Sequence, residues 1–513
     1  MKILFRVDAS LIIGTGHVMR CLTLAKSLAA NGAQCNFACR EHQGNLIDFI
    51  RQQGFEVAVL QMPNDQQPNV AEKKVAELAH ATWLGCDWET DADQTEVSAE
   101  STAYDWLVVD HYALDAPWES AMRNVAKKIM VIDDLADRLH DCDVLLDQNF
   151  YADMNRRYDG KVPPHCRMLL GPRYALLREE FREWRVQIKP RSGVVKRILM
   201  FFGGIDEWNF TLLAIKALSA LGIKGVEVDV VIGAQHPNRS EIEQACVTLG
   251  FVCHVQTSRM AELMATADLA IGAGGTATWE RCCLGLPALS ICIAENQRKQ
   301  IADAADAGLL YAPIGEGDLV NLIRHHARCL LENASLLKLI SNKAMKAVDG
   351  FGASRICREM GSIEKGADNV FIRLASADDA EVVWPWRNDE STRRYFFGQS
   401  SVELETHVAW WNQSLVDPKR ALLIGSLGQL SFGVIRFDYK TSESAVISIY
   451  LDPDMTGNGM GRKLLSAGIN WLQENHPEVK SLSAEILPEN AASVSVFQAA
   501  EFLEEYKVFT LKF

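Results

Sequence analysis

Two successive patterns of apolar and polar positions fill the first 360 residues of the chain. Short apolar runs, typical of buried strands, open the first pattern at residues 3–7, 34–38, 57–60, 106–109 and 128–132. Stretches with apolar residues at helical spacing, such as 18–30 and 45–53, lie between these runs. Strands that alternate with helices predict a parallel sheet covered on both faces.

The second pattern begins after a charged stretch at residues 178–191. Its apolar runs, which again predict strands, lie at residues 197–202, 226–233, 251–255, 269–272 and 289–293. Two such sheets in tandem predict a cleft between them that faces the carboxyl ends of the strands. A helical run at 319–360 follows, and a small, polar stretch at 361–369, interpreted as a linker, precedes a third core that starts at residue 370.

Composition narrows the class of protein. The 513 residues exceed what one core usually holds, and 48% hydrophobic with 23% charged residues leaves little room for disorder. A net charge of -14 with both signs interspersed argues against a basic face for nucleic acid. The 13 cysteines form no CxxC pair, no apolar stretch reaches the roughly 18 residues that span a bilayer, and the first residues do not form a signal peptide. We therefore expect a cytoplasmic protein with neither a membrane nor a nucleic-acid partner.

A glycine loop follows the first predicted strand and ends in a histidine. In Gly14-Thr15-Gly16-His17, the two glycines permit a sharp turn and a close approach to a ligand. A helix N-terminus disfavours a protonated imidazole, so His17 is biased toward the neutral form that accepts a proton. The loop fits a general base at the mouth of the cleft, and it equally fits a turn whose histidine only caps the helix.

A second glycine turn precedes a helix in the second pattern. Gly274, Gly275 and Thr276 follow a predicted strand, and Glu280 comes one turn into the helix. Backbone amides at such a helix start can hold a diphosphate, and the carboxylate can accept hydrogen bonds from ribose hydroxyls. The turn is a weak signal alone, but together with the histidine loop and the tandem sheets it predicts a nucleotide site.

Several longer motifs occur in register over the same region. They are Arg6-Val7-Asp8 and residues 13–20 (IGTGHVMR), 109–112 (VDHY), 133–134 (DD), 174–181 (YALLREEF), 202–206 (FGGID) and 295–297 (ENQ). On these motifs, residues 1 to about 360 resemble the UDP-sugar hydrolases of pseudaminic acid biosynthesis, relatives of the lipid-linked peptidoglycan glycosyltransferase with the two-lobed glycosyltransferase B fold. Ile205 stands where the family usually has threonine, which puts one hydroxyl contact in doubt.

The resemblance implies an activity and residue roles. The family cleaves the bond between the anomeric carbon and its oxygen with inversion, and no metal is expected. By position, His17 would activate a water, Asn296 would lie near the sugar, and the turn at Gly274 with Glu280 would hold UDP. The other positions expected to contact the substrate are Gly14, Gly16, Asp110, His111, Tyr112, Gly203, Gly204, Gly275, Thr276 and Gln297. For residues 110–112, a structural role at the strand end stays open.

The third core contains another strand, glycine loop and helix, at residues 445–451, 452–461 and 462–472. Such a loop cradles an anion on free backbone amides. Its glycine spacing and the downstream segment 487–493 (LPENAAS) make residues 370–513 resemble the GNAT acetyltransferases. The resemblance implies acetyl-CoA as co-substrate, bound by Ile449, Leu451, Gly457, Gly459, Gly461, Arg462, Asn490 and Ser493. Phe497 replaces the tyrosine that protonates the leaving thiolate in many members, so no catalytic acid is assigned.

Trp386, Arg387 and Asn388 resemble a segment in acetyltransferases of the same sugar pathway and are predicted to bind the nucleotide sugar. The alternative is that the aromatic residues pack in the core. For Trp410 and Trp411, packing and ligand binding fit the sequence equally well.

The predicted chain is therefore α/β, with a glycosyltransferase B fold of two Rossmann-like lobes (1–192 and 193–360), a linker (361–369) and an α+β GNAT domain (370–513). The predicted protein acetylates a UDP-amino sugar with acetyl-CoA and hydrolyses the product, which releases UDP. The alternatives are a glycosyltransferase of the same fold, an enzyme of a related nonulosonic acid pathway, and a nucleotide-sugar sensor without turnover.

Overall fold

The computed structural model describes residues 1–62, 78–99, 103–223, 225–294, 297–313, 317–362, 370–427, 430–456 and 459–504. The chain forms two compact units, Met1–Ser362 and Ile363–Phe513. The expected linker lies outside the described residues except for Gly361 and Ser362. The finer domain boundaries stay predictions.

The first sheet contains seven parallel strands in the described residues, in the order β3-β2-β1-β4-β5-β6-β7. They are β1 (Lys2–Val7), β2 (Gln34–Arg40), β3 (Glu56–Leu60), β4 (Tyr104–Asp110), β5 (Ala126–Ile132), β6 (Val144–Asp147) and β7 (Arg167–Leu170). The helices are α1 (Gly16–Ala30), α2 (Ile47–Gln52), α3 (Trp88–Ser98) and α4 (Ala116–Ala121). The strands read as continuous apolar runs because helices cover both faces of the sheet. The strand order reverses between β1 and β4, which opens a crevice at their carboxyl ends.

The second sheet is also parallel, in the order β10-β9-β8-β11-β12. Its strands are β8 (Arg197–Phe201), β9 (Glu227–Ile232), β10 (Val252–Val255), β11 (Leu269–Ala273) and β12 (Ala288–Ile291). The helices from the crossover onward are α5 (Glu179–Gln187), α6 (Phe210–Ser219), α7 (Arg239–Leu249), α8 (Met260–Thr266), α9 (Thr276–Cys283), α10 (Arg298–Asp306), α11 (Leu319–Leu331), α12 (Ala334–Ala347) and α13 (Gly352–Glu359). Here the order reverses between β8 and β11, so the second crevice lies at their carboxyl ends.

The last helix of this unit returns to the first sheet. Ile356 and Cys357 of α13 pack in the first core, and Trp106 Nε1 donates to the carbonyl of Met360 at 3.0 Å. The long helical run predicted at 319–360 is therefore three helices, the last of which closes the N-terminal unit onto its first lobe.

The C-terminal unit has a five-stranded mixed sheet in its described part, in the order β13-β14-β15-β16-β17. Its strands are β13 (Val370–Leu374), β14 (Arg420–Leu427), β15 (Leu430–Thr441), β16 (Ser444–Leu451) and β17 (Ser481–Ser483). Its helices are α14 (Asp379–Asn388), α15 (Glu390–Arg393), α16 (Leu404–Leu415), α17 (Met460–Asn475) and α18 (Ala491–Gln498). The β16 and β17 register ends at Val446 and Ser483, so residues 447–451 have no strand partner on that edge in the described residues.

The predicted α/β class is confirmed, with two parallel sheets of Rossmann-like strand order followed by an α+β domain, and the glycosyltransferase B assignment stays a prediction. Among the helices of the described residues, none is both long and apolar enough to cross a bilayer.

Candidate active site

The carboxyl ends of the two parallel sheets line a cavity of about 180 Å³ in the N-terminal unit. The lining residues are Ile13, Gly16, His17, Arg20, Tyr112, Asp134, Leu135, Gln148, Asn149 and Tyr151 from the first lobe and Gly275, Thr276, Gln297 and Gln300 from the second. At ~30 Å³ per molecule, the cavity has room for several waters. Six residues predicted for the site thus meet here: Gly16, His17, Tyr112, Gly275, Thr276 and Gln297.

His17 is the second residue of α1, and a buried carboxylate fixes the orientation of its ring. Its Nδ1 lies 2.6 Å from Oδ1 of Asp110, which ends β4. Because a carboxylate only accepts hydrogen bonds, the neutral ring carries its proton on Nδ1 and keeps Nε2 as an acceptor. The alternative of a histidine that only caps the helix is not supported, because Thr15 occupies the N-cap and the ring binds Asp110.

Arg20 binds the same carboxylate and was not assigned from the sequence. Its Nε donates to Asp110 Oδ2 at 2.6 Å, and its Nη1 donates to Asp134 Oδ2 at 3.1 Å. Burial alone would raise the pKa of Asp110, but Arg20 and then His17 outweigh burial and hold this pKa well below its ordinary value. The signal in the sequence was the spacing, because residues three apart share one face of a helix.

Asp134 and Asn149 connect the first lobe to the second. The Tyr112 hydroxyl donates to Asp134 Oδ1 at 2.5 Å, and Asn149 Nδ2 donates to Oδ2 at 3.2 Å. Asn149 Oδ1 accepts hydrogen bonds from Trp279 Nε1 at 2.8 Å and from Gln300 Nε2 at 3.0 Å. Asp134 follows β5, so its place at the carboxyl edge was readable, whereas Asn149 follows β6, a strand that was not predicted, and nothing local pointed to Gln300.

Asp110 and His111, both predicted to contact the substrate, lie behind the cavity wall. Asp110 is fully buried and binds His17 and Arg20. His111 is 2% exposed, and its Nε2 lies 3.4 Å from Oδ2 of Asp8 at the end of β1. Burial lowers the pKa of His111. Strand-end packing turns both side chains away from the cavity in this structure, and their predicted contact with the substrate stays a prediction.

The glycines of the two lobes follow strands at the facing edges. Gly275 is the N-cap of α9 with φ +83°, and a Cβ on Gly274 would lie 2.8 Å from Ile301 Cδ1. Both positions therefore favour glycine, and the first amides of α9 point toward the cavity end of the helix. Gly14 and Gly203 have φ of +79° and +110°, and the Gly204 carbonyl accepts from the Gly233 amide at 3.0 Å.

Among the described residues of the second lobe, four that were predicted for the site do not line the cavity, namely Gly203, Gly204, Gly274 and Glu280. Glu280 lies in α9 with its Oε1 3.5 Å from Arg178 Nη2, and burial raises its pKa. Its predicted contact with ribose stays a prediction. Asn296 lies outside the described residues. In the described ranges, no three His, Cys, Asp or Glu side chains are grouped as a metal site.

The glycine loop of the C-terminal unit opens α17. Gly459 is the N-cap with φ +71°, and Gly461 and the exposed Arg462 follow in the first turn, while Gly457 lies outside the described residues. Ile449 and Leu451 lie on the edge of β16 that lacks a partner strand in the described chain. These features leave backbone amides of the strand and the helix available to an anion and an acyl chain.

Asn490 and Ser493, also predicted to bind the cofactor, bind each other. Asn490 is the N-cap of α18, and its Oδ1 accepts from the Ser493 amide at 3.1 Å. The side-chain oxygen of Asn490 therefore stabilises the helix start, and the amide nitrogen remains for a ligand. Phe497 is buried and packs edge-on against Phe502, with ring centroids 5.0 Å apart.

Two of the predicted nucleotide-sugar residues of the C-terminal unit, Trp386 and Asn388, make contacts within their own unit. Trp386 is 6% exposed and packs with Val383 and Trp411. Both polar atoms of the Asn388 amide bind Val402, at 2.8 and 2.9 Å. Core packing and a loop contact occupy these two side chains, and their predicted contact with the nucleotide sugar stays a prediction.

Arg387 differs from its neighbours. Its guanidinium stacks 3.9 Å from the Phe396 ring, and its Nη2 donates to the Gly398 carbonyl at 3.0 Å. Its Nη1 has no hydrogen-bond partner in the described residues. Trp411 is fully buried, as the packing alternative predicted, and Trp410 is 37% exposed.

Comparisons with known proteins agree with both halves of this arrangement. Residues 369–503 match the family model described as an acetyltransferase (GNAT) domain. The UDP-2,4-diacetamido-2,4,6-trideoxy-beta-L-altropyranose hydrolase of Campylobacter jejuni is 26% identical over 60% of this chain and 97% of its own. An uncharacterized Methanocaldococcus jannaschii protein is 21% identical over 99% of this chain and 98% of its own. The solved structure of Acinetobacter baumannii MurG has a TM-score of 0.46 and 14% identity, and it covers 71% of this chain and 99% of that one. The chain is thus similar to that hydrolase over 60% of its length, and its C-terminal residues 369–503 match a GNAT acetyltransferase domain.

Proposed function

We propose that the chain is a bifunctional enzyme of pseudaminic acid biosynthesis. Its C-terminal unit transfers an acetyl group from acetyl-CoA to the 4-amine of UDP-4-amino-4,6-dideoxy-N-acetyl-beta-L-altrosamine. Its N-terminal unit then hydrolyses the product to 2,4-diacetamido-2,4,6-trideoxy-L-altrose and UDP. The observation that carries the proposal is the His17 ring, held by Asp110 in a cavity that the helix start at Gly275 also lines.

The hydrolysis step needs a base, a water and a stabilised leaving group. His17 Nε2 accepts a proton from a water as the water oxygen bonds to the anomeric carbon. The bond from that carbon to the UDP oxygen breaks, and the electron pair leaves with the diphosphate. The amides at the start of α9 would stabilise the diphosphate, and we assign Gly203 and Gly204, which follow β8, to the same role. Attack from the face opposite to UDP inverts the anomeric centre.

The acetyl transfer step uses the unpaired edge of β16 and the start of α17. The amine nitrogen attacks the thioester carbonyl, the bond to sulfur breaks, and CoA leaves as a thiolate. A backbone amide of residues 449–451 would polarise the carbonyl oxygen, and the amides after Gly459 would hold the pyrophosphate. The nitrogen of the new amide loses one proton to water, and the thiolate takes one proton from water, because Phe497 has none to donate.

We also assign the domains and remaining roles on this basis. Residues 1–192 and 193–360 are the two lobes of the hydrolase, 361–369 the linker and 370–513 the acetyltransferase. Asn296 contacts the sugar, and Gln297, which lines the cavity, orients it.

The test uses the full chain with candidate UDP-amino sugars, with and without acetyl-CoA. Mass spectrometry identifies the acylated sugar, and a coupled assay follows UDP. We expect acetylation of the amine first and UDP release afterwards, without any added acceptor. Equally fast UDP release from the unacetylated sugar would contradict the order of steps, and release that requires an acceptor would identify a glycosyltransferase instead.

A further inference from the structure

Arg20 shares one carboxylate with His17, a contact that proton transfer to His17 does not itself require. Its Nε and Nη2 donate to Asp110 Oδ2 and Oδ1 at 2.6 and 2.7 Å. The same Nη2 lies 3.3 Å from His17 Nδ1. Asp110 Oδ1 therefore meets the imidazole and the guanidinium together, and the guanidinium is only 6% exposed.

Charged and titratable groups approach the His17 ring from several elements. They are Arg20 on α1, Asp110 and Tyr112 at the end of β4, Asp134 after β5, the Cys21 thiol 3.5 Å from Asp110 Oδ2, and His80, which packs on Tyr112. The second lobe adds only uncharged lining groups within the described chain. Of the described lining residues, Arg20 alone is permanently cationic.

A buried carboxylate beside an imidazole has two effects that conflict in a general base. It fixes the ring orientation and the tautomer, but its negative charge also favours the imidazolium, which cannot accept a proton. A guanidinium on the same carboxylate balances that charge and leaves the hydrogen bond to the ring intact. Arg20 is close enough to Asp110 to do this.

We propose that Arg20 is a positioning residue that balances the charge of Asp110, so that Asp110 orients His17 without converting it to a cation. The inference rests on the proposed hydrolysis for its purpose, but its physical content is a property of the resting protein. It predicts whether the pH of proton uptake by the His17 ring rises or falls when Arg20 or Asp110 is replaced.

Removing one charge at a time shifts the proton uptake of the ring in opposite directions. In Arg20→Gln, the unbalanced Asp110 anion favours the imidazolium, so the ring takes up its proton at a pH about 1 unit higher than in the parent protein. In Asp110→Asn, the unbalanced guanidinium disfavours the imidazolium, and proton uptake moves to lower pH. The double variant removes both charges and should fall between the two.

The experiment titrates the ring directly in the full chain. Histidine labelled with ¹³C at Cε1 gives one resonance per ring, and His17→Gln identifies that of His17. Arg51→Gln is the matched control, because it removes the same charge from an exposed ion pair with Asp48 on α2. It should leave the titration of His17 unchanged. The acid limb of UDP release against pH, where activity is measurable, should move with the ring.

An unmoved His17 titration in Arg20→Gln, with activity lost equally at every pH, would overturn the inference and leave Arg20 a packing or substrate contact. If Arg20→Gln does not fold, Arg20→Lys decides the question. It keeps the charge, so proton uptake should stay within a few tenths of a pH unit of the parent, and a rise of about 1 unit would overturn the inference. Because the titration uses no substrate, it stands or fails separately from the proposed hydrolysis.

Discussion

The cavity of the N-terminal unit and the predicted sugar-binding segment of the C-terminal unit contain similar side chains but use them differently. In the cavity, His17, Arg20 and Asp134 bind partners and still line the open space. In the C-terminal unit, Trp386 lies in a core and the amide of Asn388 is saturated by Val402. His17 and Arg20 lie in the first turns of α1 at the carboxyl edge of a parallel sheet, where they reach the cavity, whereas Trp386 and Asn388 are occupied by contacts within their own unit.

The largest expected effect separates the two activities. His17→Gln removes the proposed base, so UDP release from the acetylated sugar should fall about 10³-fold. Acetyl transfer to the amine should stay at the parental rate, because His17 belongs to the N-terminal unit. Parallel assays of UDP and of free CoA thiol check both statements.

If His17→Gln released UDP at the parental rate, His17 would not be the base of the hydrolysis. His42→Gln is a control of the same chemistry, because His42 contacts Asp8 and does not line the cavity.

The next effect concerns the segment that the sequence assigned to substrate. Trp386→Ala removes a buried indole from the core around Val383 and Trp411, so the C-terminal unit should lose about 4 kcal/mol of unfolding free energy. Chemical denaturation measures the loss, and Trp410→Ala, at a partly exposed ring, should cost much less. A stable Trp386→Ala variant with a raised KM for the amino sugar would instead support the predicted binding role of Trp386.

Most elements of the fold could be predicted from the sequence. The tandem sheets and the strand-loop-helix units followed from apolar periodicity, since both faces of parallel strands must be buried, whereas the α+β form of the third core was implied by the GNAT resemblance. The strands β6 and β7 were not predicted.

The candidate site could be predicted from the sequence only in part. Gly275, Gly459 and His17 were readable because backbone geometry requires glycine there or fixes the direction of the side chain. Partners from distant positions, such as Gln300 on Asn149, depend on how the lobes pack, which no local pattern contains.

The two units should also differ in their response to alkaline pH. Burial alone would lower the pKa of His140, but Asp133 and Glu119 outweigh it and raise this pKa to about 9. The pKa of His140 is therefore higher in the folded protein than in the unfolded chain, and protonated His140 stabilises the fold by about 3 kcal/mol below about pH 6.5. This contribution is lost as pH rises through about 9.

The measurement compares the parent with His140→Gln. The difference in unfolding free energy between the two proteins should shrink as pH rises across that window. In the C-terminal unit, burial lowers the pKa of His407, so its contribution has the opposite sign and is lost as pH falls. A constant difference between parent and His140→Gln would contradict this account of the buried cluster.

The smallest effect tests the acetyl-CoA loop. Gly459 has φ +71°, and valine there would cost about 1 to 2 kcal/mol of backbone strain, so the KM for acetyl-CoA should rise about tenfold. Steady-state kinetics check this, with Ser466→Val at an exposed position of α17 as the control. An unchanged KM would remove Gly459 from the proposed cofactor site, and UDP release from pre-acetylated sugar should not change in either variant.

Hydrolysis in ¹⁸O-labelled water tests the central claim most directly. If His17 delivers water to the anomeric carbon, one ¹⁸O atom should appear in the released sugar and none in UDP, with no acceptor added. Label in the phosphate of UDP, or UDP release only when an acceptor molecule is supplied, would contradict the account.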